Sequence, residues 1–319
     1  MRVWGFLYIW GFLAEQMRTK GLGFSFIGVI FVLFLLTTCG SKEKDGKVVV
    51  PQPSGTTMHT SPPMPDTVSF MGEKVPLERF DVYESLEREM LVNTYFHSQT
   101  IRFIKLAPRF FSMADPILKE EGLPFDFRYL MVAESNLNPK ALSPAGAAGL
   151  WQFMKPAAIQ YGLEVNAEVD ERYHIEKSTR AACQYLKAAF KKYGNWGLVA
   201  AGYNAGPGAV DKQMQRQKVN NYFDILMSEE TERYVYRIIS LKLILENPAK
   251  YGFDVPEEEK YPLWKTKKIE VNGAVPDWAA FATQQGITYK TLKYYNPWLR
   301  DYFLTNKLKK SYQVLIPVQ

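Results

Sequence analysis

The feature that most constrains the fold is a series of helical hydrophobic patterns running from about Phe80 to about residue 250. The clearest is STRAACQYLKAAFKKYG, in which apolar residues recur at the spacing of one helix face and Gly194 stands where a C-terminal cap is expected. Pro108 is expected to kink or split one of these helices. The series predicts an all-helical domain over residues 76–250.

The character of the chain changes after residue 250. Pro256 and Pro262 flank a charged stretch, so residues 251–266 are predicted to form a linker. Strand-like alternation in KTKKIEVNG and SYQVLIPVQ then brackets two short helical patterns, PDWAAFATQQG and TYKTLKYYNP. The order strand, helix, helix, strand predicts a small α+β module over residues 267–319. The expected fold class is therefore mainly α with a small βααβ module at the end.

An apolar run near the N-terminus predicts export. GLGFSFIGVIFVLFLLTTC carries no charge and follows Arg18 and Lys20, as in a secretory signal, and a membrane-spanning helix is the alternative. The end of this run, LTTC, resembles the lipobox of bacterial lipoproteins, in which the cysteine is lipidated. The resemblance implies a lipoprotein signal peptide over residues 1–38, a lipid anchor at Cys39 and a periplasmic location. By resemblance to the sorting rules of bacterial lipoproteins, Gly40 after this cysteine implies the outer membrane rather than the inner one.

The segment after Cys39 is predicted to be disordered, and the charge and histidine pattern limits the kinds of partner and site. Residues 39–75 are rich in proline and polar residues and are predicted to form a disordered tether. The formal net charge of +6 comes without a basic cluster, which argues against nucleic acid as a partner. His59, His97 and His174 are far apart in the sequence, so neither a metal site nor a cofactor is expected.

The segment MVAESNLNPKALSPAGAAGLWQFM, residues 131–154, places Glu134 at the end of an apolar helix. Apolar and small neighbours would remove water from its carboxyl, which raises the pKa toward the range of a general acid. The alternative is an ordinary solvated glutamate at a helix end. The small residues that follow permit close approach of a ligand. Trp151 is expected to stack on a sugar, and Gln152 to hydrogen-bond its hydroxyl or amide groups.

Four motifs in order resemble those of lytic transglycosylases, which share the goose-type lysozyme fold: AES, SPAGAAGLWQFM, AAGYNAGPG and EETERYVYRI. The likeness covers about residues 100–250, and the lipid-anchored, tailed layout is most similar to the membrane-bound D type of lytic murein transglycosylase. It implies a lysozyme-like all-helical catalytic domain in which Glu134 is the sole catalytic acid and base. It also implies a substrate-binding set formed by Ser143, Gln152, Met154, Tyr203, Asn204, Glu230 and Tyr234.

The resemblance implies non-hydrolytic cleavage of the β-1,4 bond between N-acetylmuramic acid and N-acetylglucosamine in peptidoglycan. Most glycosidases need two carboxylates. Here one glutamate would act first as acid and then as base, because the 6-hydroxyl of the sugar replaces water and leaves a 1,6-anhydro end. Two alternatives stay open. One is a lysozyme-like muramidase, with Asp170 or Glu171 as the second carboxylate, and the other is a non-catalytic peptidoglycan-binding lipoprotein.

The C-terminal module resembles a LysM module, a binder of glycans that contain N-acetylglucosamine. The stretch AAFATQQGITYKTLKYYNPWL is similar to its helix pair and QVLIP to its last strand, whereas NGAVPDW replaces the usual GDT turn. The partners implied are peptidoglycan glycan strands and a membrane reached through Cys39. The chain is expected to be a monomer.

Overall fold

The structure is a computed structural model that describes residues 60–318. The predicted signal peptide, Cys39 and most of the predicted tether lie outside these residues. The helices of the described part are α1 (Phe80–Tyr95), α2 (His97–Glu120), α3 (Phe127–Ser135), α4 (Lys155–Gln160), α5 (Ile175–Tyr193), α6 (Trp196–Ala205), α7 (Pro207–Gln217), α8 (Glu229–Glu246), α9 (Trp278–Gln284) and α10 (Tyr289–Tyr295). Its strands are β1 (Ser69–Phe70), β2 (Glu73–Lys74), β3 (Thr266–Val271) and β4 (Tyr312–Pro317). Within residues 60–318 no helix is both long and apolar enough to cross a bilayer.

Helix α3 lies in the core of the helical body and packs against α2 and α8. Phe127, Leu130, Met131 and Val132 on this helix are fully buried. Burying each of these side chains stabilises the fold by about 1.5–3 kcal/mol. The helix ends at Asn136, whose left-handed φ of 54° caps it. Packing on two sides and a sharp end therefore fix the last turn of α3.

Helix α2 runs from His97 to Glu120 without a break, although Pro108 and Pro116 both lie inside it. Pro108 was expected to kink or split this helix, and it does not split it. A proline removes one backbone hydrogen bond from a helix. Phe103 and Phe110 on the same helix are buried, and this packing holds the helix together across the missing bond.

The structure differs from the predicted tether at its C-terminal end. Ser69 and Phe70 of β1 pair with β2 as a small antiparallel hairpin. Val68, Phe70 and Val75 are buried in the core of the helical body. The apolar residues of VSFMGEKV are therefore sufficient to dock this piece of chain, even though proline-rich sequence precedes it.

The C-terminal module has the predicted order of strand, helix, helix and strand. Strands β3 and β4 are antiparallel, with Thr266 opposite Pro317 and Val271 opposite Tyr312. The helices α9 and α10 bury Trp278 and Leu292 against this pair, in a second hydrophobic core. The expected fold class, a mainly α protein with a small βααβ module, is thus confirmed.

The second core is not confined to the C-terminal module. It also contains Ala148, Val169 and Tyr173 from the helical region. The segment before β3 lies on α2, where the backbone N–H of Tyr261 donates to the carbonyl of Lys105 at 2.8 Å. The module therefore packs on the helical body through shared apolar residues.

Candidate active site at Glu134

Glu134 occupies the last turn of α3, and the residue is half-buried. Loss of water around the carboxyl raises the pKa of Glu134 to about 7. A hydrogen bond from the Tyr234 hydroxyl to Oε1 and the charge of Arg237 oppose that rise, whereas the charge of Glu230 adds to it. Near neutral pH this carboxyl is therefore divided between its protonated and charged forms.

A buried tyrosine, Tyr234, and a half-buried one, Tyr203, stand beside this carboxyl. Tyr234 on α8 is 2% exposed and donates directly to Glu134. Burial, together with the nearby charge of Glu134, holds the pKa of Tyr203 well above its ordinary range. The Tyr203 hydroxyl donates to the carbonyl of Trp151 at 2.6 Å. Tyr234 therefore orients the carboxyl, and Tyr203 ties α6 to the segment that follows Ser143.

That segment is a hairpin of small residues, residues 142–153, hereafter the small-residue hairpin. Leu142 pairs with Ala148, and Ala148 pairs with Phe153. Its turn is closed by a bond of 2.8 Å from the N–H of Ser143 to the carbonyl of Ala147. The Ser143 Oγ accepts from the N–H of Ala147 at 3.0 Å. The Ser143 hydroxyl can still donate its own hydrogen to a ligand.

Gln152 and Trp151 lie at the far end of the hairpin and differ in their surroundings. Gln152 has a left-handed φ of 48°, and its Nε2 donates to the carbonyl of Gly149 at 2.8 Å. A non-glycine residue in this region is strained, and such strain clusters at functional sites. Trp151 is fully buried, and its Nε1 donates to Oγ1 of Thr179 at 2.9 Å. The expectation that Trp151 stacks on a sugar is wrong, because its ring is part of the core.

The other predicted site residues lie on three elements. Met154, just after the hairpin, is 45% exposed and is available to a ligand. Asn204 on α6 accepts from the Thr231 hydroxyl on α8 at 3.0 Å. Glu230 lies in the first turn of α8 and pairs with Arg237 at 3.1 Å. Contacts thus link Tyr203 to the hairpin, Asn204 to α8 and Tyr234 to Glu134, whereas Ser143, Gln152 and Met154 share the segment between α3 and α4.

The two carboxylates considered for a muramidase have other partners. Asp170 forms a two-pronged ion pair with Arg172, with oxygen–nitrogen distances of 2.9 and 2.7 Å. Glu171 pairs with Lys177 and accepts from the N–H of Glu164 at 2.8 Å. Both side chains are buried. Their oxygens are thus bound to protein groups rather than available to activate water.

Two residues near the site, Glu89 and Arg172, escaped the sequence analysis. Glu89 on α1 is 1% exposed and pairs with Arg233 at 2.6 Å and Arg237 at 3.6 Å. Arg172 binds backbone carbonyls of the small-residue hairpin. The one available signal for Glu89 was a charged residue on the face of α1 that carries Leu86 and Met90.

Two segments of the chain match known protein families. Residues 114–225 match the family model described as a transglycosylase SLT domain. Residues 267–319 match the soluble lytic transglycosylase C-terminal LysM-like domain. The chain carries an SLT domain followed by a LysM-like domain. The SLT domain includes Glu134 and the small-residue hairpin, whereas Glu230 and Tyr234 lie beyond its matched end.

The chain is also homologous to membrane-bound lytic murein transglycosylase D of Escherichia coli strain K12. The two are 28% identical over 239 residues, which cover 72% of this chain and 51% of the relative. The chain thus spans about half the length of the curated relatives it matches. This homology and the two matched domains confirm the family resemblance that the motifs gave.

Two solved structures are similar over 48% of this chain and 26% of their own. One is an inactive mutant of lytic transglycosylase Slt from Pseudomonas aeruginosa, at 23% identity and a TM-score of 0.37. The other is the 70 kDa soluble lytic transglycosylase of Escherichia coli, at 21% identity and a TM-score of 0.38.

Proposed function

We propose that this protein is a peptidoglycan lytic transglycosylase that uses Glu134 first as acid and then as base. The observation that carries the proposal is a desolvated carboxyl inside an SLT domain, with a pKa of about 7 and a hydrogen bond from a tyrosine of α8. A general acid works best when its pKa lies near the operating pH. The name of the Escherichia coli relative, a membrane-bound lytic murein transglycosylase, gives the substrate class.

In the first step, protonated Glu134 gives its proton to the glycosidic oxygen between N-acetylmuramic acid and N-acetylglucosamine. The C1–O bond breaks, and the N-acetyl oxygen of the muramic residue stabilises the positive anomeric carbon. The Tyr234 hydroxyl then donates to a charged carboxylate, which is its better acceptor. In the second step, Glu134 takes the proton from the 6-hydroxyl of the same sugar as that oxygen bonds to C1. The carboxyl is protonated again, and no water is consumed.

We assign the substrate contacts to side chains that have an exposed surface or a hydrogen-bond donor still available to a ligand. The Ser143 hydroxyl can donate to the N-acetyl carbonyl of the reacting sugar, because Oγ is held by Ala147 as an acceptor. The exposed side chain of Met154 offers an apolar contact. Gln152, Tyr203, Asn204, Glu230 and Tyr234 complete the proposed cleft.

Two competing functions make different demands on the site. A muramidase would need a second carboxylate for water, and both Asp170 and Glu171 are already engaged by cations. A non-catalytic binder would have no use for an acid whose pKa lies near neutrality, since burying a carboxyl is unfavourable. The geometry thus favours the transglycosylase.

Mass analysis of the products from purified murein tests the proposal. We expect fragments lighter by one water than those that a lysozyme releases, with muramic ends in the 1,6-anhydro form. Products with ordinary reducing ends would make the protein a muramidase. Binding to murein without any cleavage would make it a glycan-binding protein.

The anchor is a separate part of the proposal. We propose that Cys39 is lipidated and that the chain is a periplasmic monomer, attached to the outer membrane and facing peptidoglycan. The support is the LTTC motif after an apolar run, with Gly40 next. Mass analysis of the mature N-terminus should find lipid on Cys39, and Cys39→Ser should accumulate the precursor. An unlipidated mature N-terminus upstream of Cys39 would reject the anchor.

A further inference from the structure

Arg172 lies behind the small-residue hairpin and holds it by its main chain. Arg172 is only 8% exposed. Its Nη1 donates to the carbonyls of Gly146, at 2.8 Å, and Phe153, at 3.2 Å. Its Nε and Nη2 donate to the two oxygens of Asp170 at 2.9 and 2.7 Å. We call this arrangement the Arg172 clasp: Asp170, Arg172 and the two carbonyls.

The clasp grips the hairpin on either side of its proposed substrate contacts. Gly146 follows Ser143 by three positions, and Phe153 comes directly after Gln152. The main chains also touch at Gly149, where an added Cβ would lie 1.9 Å from the carbonyl oxygen of Arg172. The hairpin can therefore move little while the clasp is closed.

The C-terminal module holds the other side of the clasp. The N–H of Asp170 donates to the carbonyl of Trp298 at 2.9 Å, and the N–H of Arg300 donates to the carbonyl of Glu168 at 2.8 Å. The Glu168 carboxylate accepts from the backbone N–H of Thr305 at 2.6 Å and from its hydroxyl at 2.8 Å. Ala148 of the hairpin shares the second hydrophobic core with the module.

We propose that Arg172 is a positioning residue for the cleft and that the C-terminal module acts as its support. The module fixes Asp170, Asp170 fixes the plane of the guanidinium, and the guanidinium fixes the hairpin that carries Ser143 and Gln152. Tyr234 on α8 holds Glu134 separately. The clasp thus governs where the glycan binds and leaves the proton chemistry unchanged. The catalytic part of this inference rests on the proposed function.

Arg172→Lys tests the clasp in the full chain, because one ammonium cannot reproduce the fork that binds a carboxylate and two carbonyls. With a soluble glycan of alternating N-acetylglucosamine and N-acetylmuramic acid, we expect kcat/KM to fall by roughly tenfold to a hundredfold, mainly through KM. The alkaline limb of the pH profile should stay in place. Amide hydrogen exchange should become faster in residues 143–153 and stay slow in α8.

The matched control is Arg180→Lys. Arg180 forms surface ion pairs with Glu120 and Glu121, at 2.8 and 3.4 Å, and does not bind the hairpin. This variant should keep KM, kcat and hairpin exchange at wild-type values. Glu168→Ala, which removes the side-chain contacts to Thr305, should change KM and hairpin exchange in the same direction as Arg172→Lys by a smaller factor.

Asp170→Asn provides a second route if Arg172→Lys unfolds, since it keeps the shape of the carboxylate and weakens only its hold on the guanidinium. The proposal would be overturned if Arg172→Lys or Asp170→Asn folded and showed the same hairpin exchange and the same KM as Arg180→Lys. Unfolding of both clasp variants would also overturn it, because the clasp would then support the whole fold. A wild-type chain that cleaves no glycan would reject the proposed function alone, since hairpin exchange still tests the clasp.

Discussion

Helix α8 supplies the partners of two carboxylates whose surroundings are opposite in kind. Glu134 receives a hydrogen bond from the neutral Tyr234 hydroxyl. Glu89 is paired with two cations, Arg233 at 2.6 Å and Arg237 at 3.6 Å. A cationic partner favours the charged form of a carboxylate, whereas desolvation beside a neutral donor favours the protonated form. Two arginines therefore hold one carboxylate, whereas a neutral hydroxyl holds the other, which is left to exchange a proton.

The spacing on α8 explains how one helix serves both. Arg233 and Arg237 are four residues apart and so share a face. Tyr234 is one residue further along than Arg233 and points about 100° away around the helix. Arg237 also contacts Glu230 at 3.1 Å, and the charges of both residues act on the pKa of Glu134. The two carboxylates thus differ because they face different sides of the same helix.

The largest effect should come from Glu134→Gln, which keeps the shape of the side chain but cannot deliver a proton. General acid–base catalysis contributes roughly 10²–10⁴-fold, and this residue serves both steps, so the rate of murein cleavage should fall by at least that factor. The matched change, Glu89→Gln, should leave the cleavage rate of folded protein within a few-fold of wild type. If Glu134→Gln kept more than about a tenth of the activity, Glu134 would have no role as the acid.

The second effect concerns stability against pH. The pKa of Glu134 is about 7 in the folded protein and returns toward its ordinary value of 4.5 on unfolding. Between these values the folded chain holds a proton that the unfolded chain has released. Raising the pH through this window therefore destabilises the fold, by up to about 3 kcal/mol in total.

The measurement is urea unfolding of wild type and Glu134→Gln between pH 4 and pH 7.5. Wild type should lose stability relative to the variant as pH rises, because the amide does not titrate. The difference should be complete near pH 7.5 and absent near pH 4. If the free energies of unfolding of the two proteins changed with pH in parallel, the Glu134 carboxyl would not be desolvated in the folded chain.

The third effect is on stability instead of rate and concerns Glu89. Glu89→Gln should destabilise the fold by about 2 kcal/mol, since it removes a buried hydrogen bond to a charged partner and leaves Arg233 and Arg237 facing a neutral amide. Both arginines are partly exposed, at 27% and 25%, and water can compensate some of the loss. The midpoint of urea unfolding measures this change at pH 7. A midpoint equal to wild type would mean that the ion pairs add nothing to stability.

Much of this architecture could be predicted because the deciding signals are local. Gly194 ends α5 as a left-handed cap, and the two alternating segments became β3 and β4. Glu134 could be singled out because its apolar neighbours precede it in the same helix. Its desolvation follows from residues only a few positions away.

Other features could not be predicted, because they depend on contacts between distant segments. Glu89 and Arg233 are separated by 144 positions, and Arg172 reaches carbonyls 26 and 19 positions earlier. Trp151 shows the same limit, since nothing in GLWQ tells which side of the hairpin faces the core. The bond from its ring to Thr179 settles that choice through α5.

The smallest effect should come from Tyr234→Phe, which removes the neutral donor from Glu134 and little else. The lost bond lowers the pKa of Glu134 in the wild type, so its removal should raise that pKa. The alkaline limb of kcat/KM should therefore move to higher pH, by less than about one unit if the bond is worth about 1 kcal/mol. The rate at the optimum should fall by about fivefold, because the charged carboxylate of the second step loses the same stabilisation.

Tyr203→Phe is the matched control. The Tyr203 hydroxyl donates to the carbonyl of Trp151 and not to Glu134, so the alkaline limb of this variant should stay in place. If the alkaline limb of Tyr234→Phe moved to lower pH, or if the limbs of both variants moved equally, Tyr234 would not set the proton affinity of Glu134.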